Sequence, residues 1–271
     1  MKTVNAHNSR LYDCLRQVTI LISAPLIWIA SSLGVFLDSA RSPSEFSDLS
    51  DNLLVPYPLA FSIWLPIFLG ILVYGVIQAL RVNQRRALFR ETGWWIAAGL
   101  WGIVAWSIAT AYLTDSHVEL SASLIFIPTM IVLVIAMVRM FRRKAALDSI
   151  EKWFVLLPIS LIAGWCSIAV FIGLNGLIWN TVEPLGWNAI WTAILILSIA
   201  LVWIIVVLIR GAKNRAYAAP VVWGLGFLAF RHLSDDGEPL IGIKALIGIC
   251  AIMYVCSPLY NGKRNKCLRH D

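Results

Sequence analysis

Residues 57–70, YPLAFSIWLPIFLG, decide how this chain is to be read. They lie in an apolar run long enough to cross a bilayer, yet Pro56 and Pro58 stand at the entrance, Pro66 inside, and a tryptophan three residues after a phenylalanine. Solubility in lipid requires none of these. Phe61, Trp64 and Phe68 fall at i, i+3 and i+7, on one helical face. Pro66 deprives the carbonyl of Ser62 of its donor and predicts a bend at the ring cluster. A bent helix that presents flat rings opens a gap against its neighbours.

Outward from that segment, the chain reads as a membrane protein. Of its 271 residues 59% are hydrophobic and 14% charged, with a mean hydropathy of +0.78, too few polar residues to clothe a water-exposed surface. A helix needs about 20 apolar residues to cross the hydrocarbon. Eight runs meet or approach that length: 18–37, 58–80, 93–113, 119–138, 153–178, 188–209, 216–231 and 240–260. The seventh, YAAPVVWGLGFLAFR, is short and carries Pro220 and two glycines, but without it the termini fall on opposite sides and the charge pattern is lost. The expected fold class is all-α polytopic membrane protein, with about eight transmembrane helices.

Placing the N-terminus in the cytoplasm puts 19 of the 22 lysines and arginines on the inside, leaving only Arg41, Arg231 and Lys244 outside. The positive-inside rule therefore predicts a multi-pass protein of the plasma membrane with both termini cytoplasmic. The net charge of +7 reads as topology and not as nucleic-acid binding. The five cysteines show neither metal spacing nor CxxC, so no disulfide or metal site is expected. The outer connection of residues 38–58 is acidic and bounded by proline, either a lid over an outward mouth or a solvated loop.

The spans hold essentially no ionisable group at depth; Asp115, His117, Arg231, His232 and Lys244 fall at outer ends, as interfacial anchors do. No Ser, His and acid set or Glu and His pair is placed inside them, so an enzyme is not expected. Tryptophan is abundant instead. Trp94, Trp95, Trp153, Trp179, Trp187 and Trp191 lie near span ends as belt residues, whereas Trp28, Trp64, Trp101, Trp106, Trp165, Trp203 and Trp223 lie deeper. The deeper set either fills helix interfaces or lines a pocket, with Trp64 and Trp165 singled out by the prolines near them. Helix 5 repeats the logic of helix 2, with Pro158 ahead of Trp165, small-xxx-small steps at Ser160/Gly164 and Ala169/Gly173, and Asn175 placed to cap or bridge near the outer boundary.

The pattern P-x-x-F-S-x-W-x-x-x-F, carried by Pro58, Phe61, Ser62, Trp64 and Phe68, resembles the second helix of the TspO/MBR family of translocator and tryptophan-rich sensory proteins. Pro158, Gly164, Trp165, Ala169, Leu174 and Asn175 resemble its fifth helix. The chain departs from the family in a longer Trp165 to Asn175 spacing, in a third helix without the expected glutamine and asparagine, and in three appended helices. The resemblance implies a five-helix core over residues 1–181, with three additional helices and a basic tail over 182–271; the almost uniformly apolar helix 6 is expected to flank that core. It also implies a receptor, sensor or carrier that binds a flat hydrophobic ligand, a porphyrin, haem-like or sterol-like molecule, with no cofactor otherwise required. The expected ligand-binding residues are Phe61, Trp64, Phe68, Trp101, Trp165 and Asn175. Membrane lipids, that small molecule and a second copy of the chain are the expected partners. The alternative is a facilitative transporter of small neutral solutes, with Ser62, Gln78, Ser107, Thr110, Ser160 and Ser167 as the polar groups of its path.

Overall fold

The computed structural model describes residues 2–42, 45–46, 52–113, 118–211, 213–234 and 237–258, and among these the regular structure is helical throughout. The anchors expected at Asp115 and His117, and the basic C-terminal tail, lie outside the described residues.

Among the described residues eight long helices occupy the eight expected runs: α1 Lys2–Ser31, α2 Trp64–Ala79, α3 Ala87–Tyr112, α4 Val118–Arg142, α5 Leu157–Val182, α6 Ala189–Arg210, α7 Arg215–Leu233 and α8 Pro239–Cys256. Among the described residues seven stretches are long and apolar enough to cross a membrane, and α7 is the helix that falls short. It nevertheless runs the depth of the bundle. Asn214, just before its first turn, donates to the Ser160 hydroxyl near the start of α5 at 2.8 Å, while His232 at its far end bonds the Leu53 carbonyl at 2.6 Å.

Neighbouring helices define two rings. α1, α2, α5, α4 and α3 close the first in that order, and α5, α6, α8 and α7 close the second. The shared helix is the most enclosed: 72% of the α5 span is buried, against 33% to 50% for the other spans. One buried apolar cluster runs from Ile20 in α1 to Val255 in α8, so the two rings share a core. At the seam Gly164 lets α5 and α7 touch backbone to backbone, since a Cβ there would lie 2.2 Å from the Tyr217 carbonyl oxygen.

The prolines act differently from the bend that the sequence suggests. Residues Pro58–Ile63 form a 3₁₀ helix and the α-helix begins at Trp64, so Pro66 sits in its first turn, where a missing donor goes unused. The Pro158 segment finds a parallel solution. A capping box at Asp148 and Glu151 and a π-helical stretch Lys152–Leu156 precede α5, and Pro158 again falls at the start of the α-helix. The two segments meet, for a Cβ on Gly70 would lie 3.0 Å from the Pro158 ring.

The first span also differs from its expected bounds of 18–37. Its apolar candidate stretch is Arg10–Ser31, because Asp13, Arg16 and Gln17 are drawn into the bundle, all buried. Arg90 of α3 forks onto the Asp13 carboxylate, with two contacts at 3.0 Å and a closer one through Nη2, and Arg16 lies 3.8 Å from the same carboxylate. Arg16 donates to the Gln84 carbonyl at 2.8 Å, and Gly93 leaves the space its stem occupies. Gln17 and Gln78 donate reciprocally to each other's backbone carbonyls at 2.6 and 2.9 Å. The expectation of spans without ionisable groups is therefore corrected at this end of α1. Mutual pairing compensates the charges that hydropathy alone assigns to the cytoplasm.

Candidate functional site

Three of the expected residues converge at the opposite end of the first ring. Trp64, the first residue of α2, is 8% exposed, and Trp165 of α5 is 1% exposed. Trp165 stands edge-on to Trp64, with ring centroids 6.0 Å apart and planes at 79°, and edge-on to Phe61 at 6.0 Å and 82°. Phe68, one turn along α2, stacks on Trp64 at 5.0 Å. Behind Trp165, Gly224 of α7 permits close approach, a Cβ there meeting the indole at 3.4 Å. The second ring of helices thus buttresses the tryptophan that the first ring presents.

Phe61, Trp64 and Trp165 line a cleft with a cavity volume of about 60 Å3. Every lining residue comes from α2 to α5, from the turn before α2, or from the connection that precedes it. The facing wall is Trp106 of α3 stacked on Phe126 of α4, centroids 4.7 Å apart, with Phe46 edge-on to Trp106 at 6.2 Å. Ala169, Gly173 and Gly176 of α5 keep the near wall low, and Asn52, Glu119 and Ser123 supply its polar side chains. The first small-xxx-small step of α5 therefore serves the α7 contact, while Ala169 and Gly173 face the cavity.

The connection between α1 and α2 is fastened over this site by polar contacts. Asn175 donates to the Asn52 side chain at 2.7 Å, and Asn52 donates to the Ile172 carbonyl at 2.8 Å. Arg231 donates to the Val55 carbonyl at 2.8 Å, and the Trp223 indole to the Ala60 carbonyl at 2.9 Å. His232 accepts from the Glu238 backbone N–H at Nδ1, 3.1 Å, so its Nε2 carries the proton that meets the Leu53 carbonyl. Nearer the mouth, Ser42 and Glu45 form a reciprocal side-chain to backbone box next to Phe46. The Ser42 N–H holds the Glu45 carboxyl below the ordinary carboxylate range.

The remaining expected residues fall elsewhere. Phe68 is buried behind Trp64 and outside the lining, and Asn175 secures the connection without lining the cavity. Trp101 is 40% exposed and does not join the cavity. Sequence reasoning missed Phe46, Asn52, Glu119, Ser123 and Phe126. Trp106 stood only among the deeper tryptophans, with nothing in the sequence to pair it with Phe126. Most of the polar groups considered for a solute path are engaged in local or interhelical bonds: Ser107 with Ser31 at 3.0 Å, Thr110 with the Trp106 carbonyl at 3.0 Å, Ser160 with Asn214, Gln78 with Gln17, and Ser167 with the Trp203 indole at 3.5 Å. None of the six lines the cavity.

A family model described as TSPO-like protein matches residues 17–257, from within α1 to just past the end of α8 and through the expected boundary at residue 181. No match to a curated protein or to a solved structure was found. With helices built to cross a membrane and a match that spans both rings, the chain is a multi-pass membrane protein and belongs to the TSPO-like family.

Proposed function

We propose that the protein is a non-enzymatic membrane receptor, sensor or carrier whose cavity takes a flat hydrophobic molecule of the tetrapyrrole or sterol kind. The observation that carries this reading is the convergence of Phe61, Trp64, Trp165, Trp106 and Phe126 on one cleft of the five-helix ring. Rings set edge-on and stacked provide flat apolar surfaces, each contact with a ligand ring worth about 1 kcal/mol beyond the area it buries. The cavity of about 60 Å3 is far smaller than such a ligand, so binding on this reading requires the lining to open. Binding on this reading displaces Phe46 from Trp106 and fills the cleft outward. The facilitative-transport alternative has less support, because four of its six polar candidates bond to neighbouring helices and none lines the cleft.

Titration with a porphyrin and with a sterol, followed by quenching of tryptophan fluorescence or by calorimetry, tests the reading. Trp64→Ala and Trp165→Ala should each weaken binding about tenfold, by loss of ring contact in a buried site. Trp94→Ala and Trp187→Ala, at residues 44% and 56% exposed, should leave it unchanged. Equal losses from all four variants, with helical content intact, would show that the rings only pack the bundle.

A further inference from the structure

Among the described residues the cavity lining includes one charged side chain. Glu119 lies in the first turn of α4, half-exposed at the lining, among Phe46, Trp106 and Phe126. The Asn180 side-chain amide donates to its Oε2 and so orients the carboxylate. Among the described residues no lysine, arginine or histidine pairs with Glu119, although Asp13, Glu91 and Glu151 each have an arginine partner.

An oriented carboxylate without a cation partner, set beside clustered aromatic rings, is the chemistry that recognises an ammonium group. The carboxylate supplies the counter-charge and the rings supply cation–π attraction. A carboxylate-bearing ring system would bring like charge to the same place and meet repulsion. We propose that, among flat apolar molecules, the cavity selects those bearing a basic nitrogen, with Glu119 as the specificity-determining residue at the mouth. This rests on the reading of the cleft as a ligand site and ranks ligands within it: a basic nitrogen strengthens binding over a neutral ring system such as a sterol, and a carboxylate weakens it.

The test uses three naphthalene probes of one shape and different charge, 1-naphthylmethylamine, 1-naphthalenemethanol and 1-naphthylacetate, titrated by calorimetry into the full chain in lipid nanodiscs at neutral pH. The amine should bind about tenfold tighter than the carboxylate, with the alcohol between them. Glu119→Gln should remove most of that preference, and continued binding of the alcohol reports an intact cavity. The comparison of probes on the unaltered protein stands even if the variant fails to fold. A carboxylate that binds as tightly as the amine, or a Glu119→Gln protein that keeps the full preference, overturns the inference while leaving the aromatic cleft as a binding site. Failure of all three probes to bind overturns the inference and the ligand-site reading together.

Discussion

The two ends of the five-helix ring are built from opposite materials. At one end Asp13, Arg16, Gln17 and Gln78 are buried in mutual bonds, with the exposed Arg90 forked onto Asp13, and close the ring. At the other, Phe61, Trp64, Trp106, Phe126 and Trp165 meet through their rings and leave a cleft. The reason is geometric. Reciprocal hydrogen bonds have one short distance and draw two helices to it, whereas rigid rings fill space only where edge and face match. Buried polarity inside a membrane protein ordinarily points to the working site. Here the best-paired polar groups mark the closure, and Glu119, which has no charged partner among the described residues, lines the cleft.

The most severe way to break this contrast is Asp13→Ala. It would leave Arg16, 1% exposed, without its counter-ion and Arg90 without its fork, for an expected loss of about 3–5 kcal/mol. Unfolding by denaturant in mixed micelles measures it, and a loss below about 1 kcal/mol would mean that the paired end does not hold the ring closed. Gly164→Ala probes the seam between the rings. A methyl group 2.2 Å from the Tyr217 carbonyl must push α7 from α5, at about 1–3 kcal/mol. Gly224→Ala, with its nearest contact at an ordinary 3.4 Å, should change stability by no more than about 0.5 kcal/mol in the same assay, and equal effects would remove the backbone contact as the cause.

Gln78→Leu sharpens the comparison at the paired end, since it removes the bond that the Gln78 amide donates to the Gln17 carbonyl while leaving the Gln17 amide its bond to the backbone carbonyl of residue 78, for about 1 kcal/mol. The smallest effect on stability belongs to the open end. Phe46→Ala removes a half-buried ring that touches Trp106 and should cost less than about 1 kcal/mol. Its consequence should appear in access, as faster association of an aromatic ligand in stopped-flow quenching. A variant with unchanged association but a large loss of stability would make Phe46 part of the core and not of the mouth.

Much of the site was legible before the structure, and unevenly so. Trp64 and Trp165 were marked by prolines in their own helices, and a local signal survives folding because the proline determines where its α-helix begins. Trp101 and Trp106 were harder to separate. They lie five residues apart in α3, so their side chains leave the helix on different sides; one reaches Phe126 and the other is 40% exposed. Asn175 was expected to cap or bridge helices; its partner Asn52 belongs to the connection, 123 residues away, and no local pattern announces it.

The sequence by itself determined the membrane class, the eight helical runs and the family, because transfer of apolar side chains into hydrocarbon depends on length and composition, and both are written along the chain. Only the tertiary structure decided that Trp165 meets Trp64 and Phe61, that Trp106 faces Phe126, and that Arg16 is paired inside the bundle instead of standing in water. Helical periodicity tells which face a residue occupies but not which helix will lie against it. Whether a charge can be buried depends on a partner such as Arg90, which is supplied from a helix far along the chain.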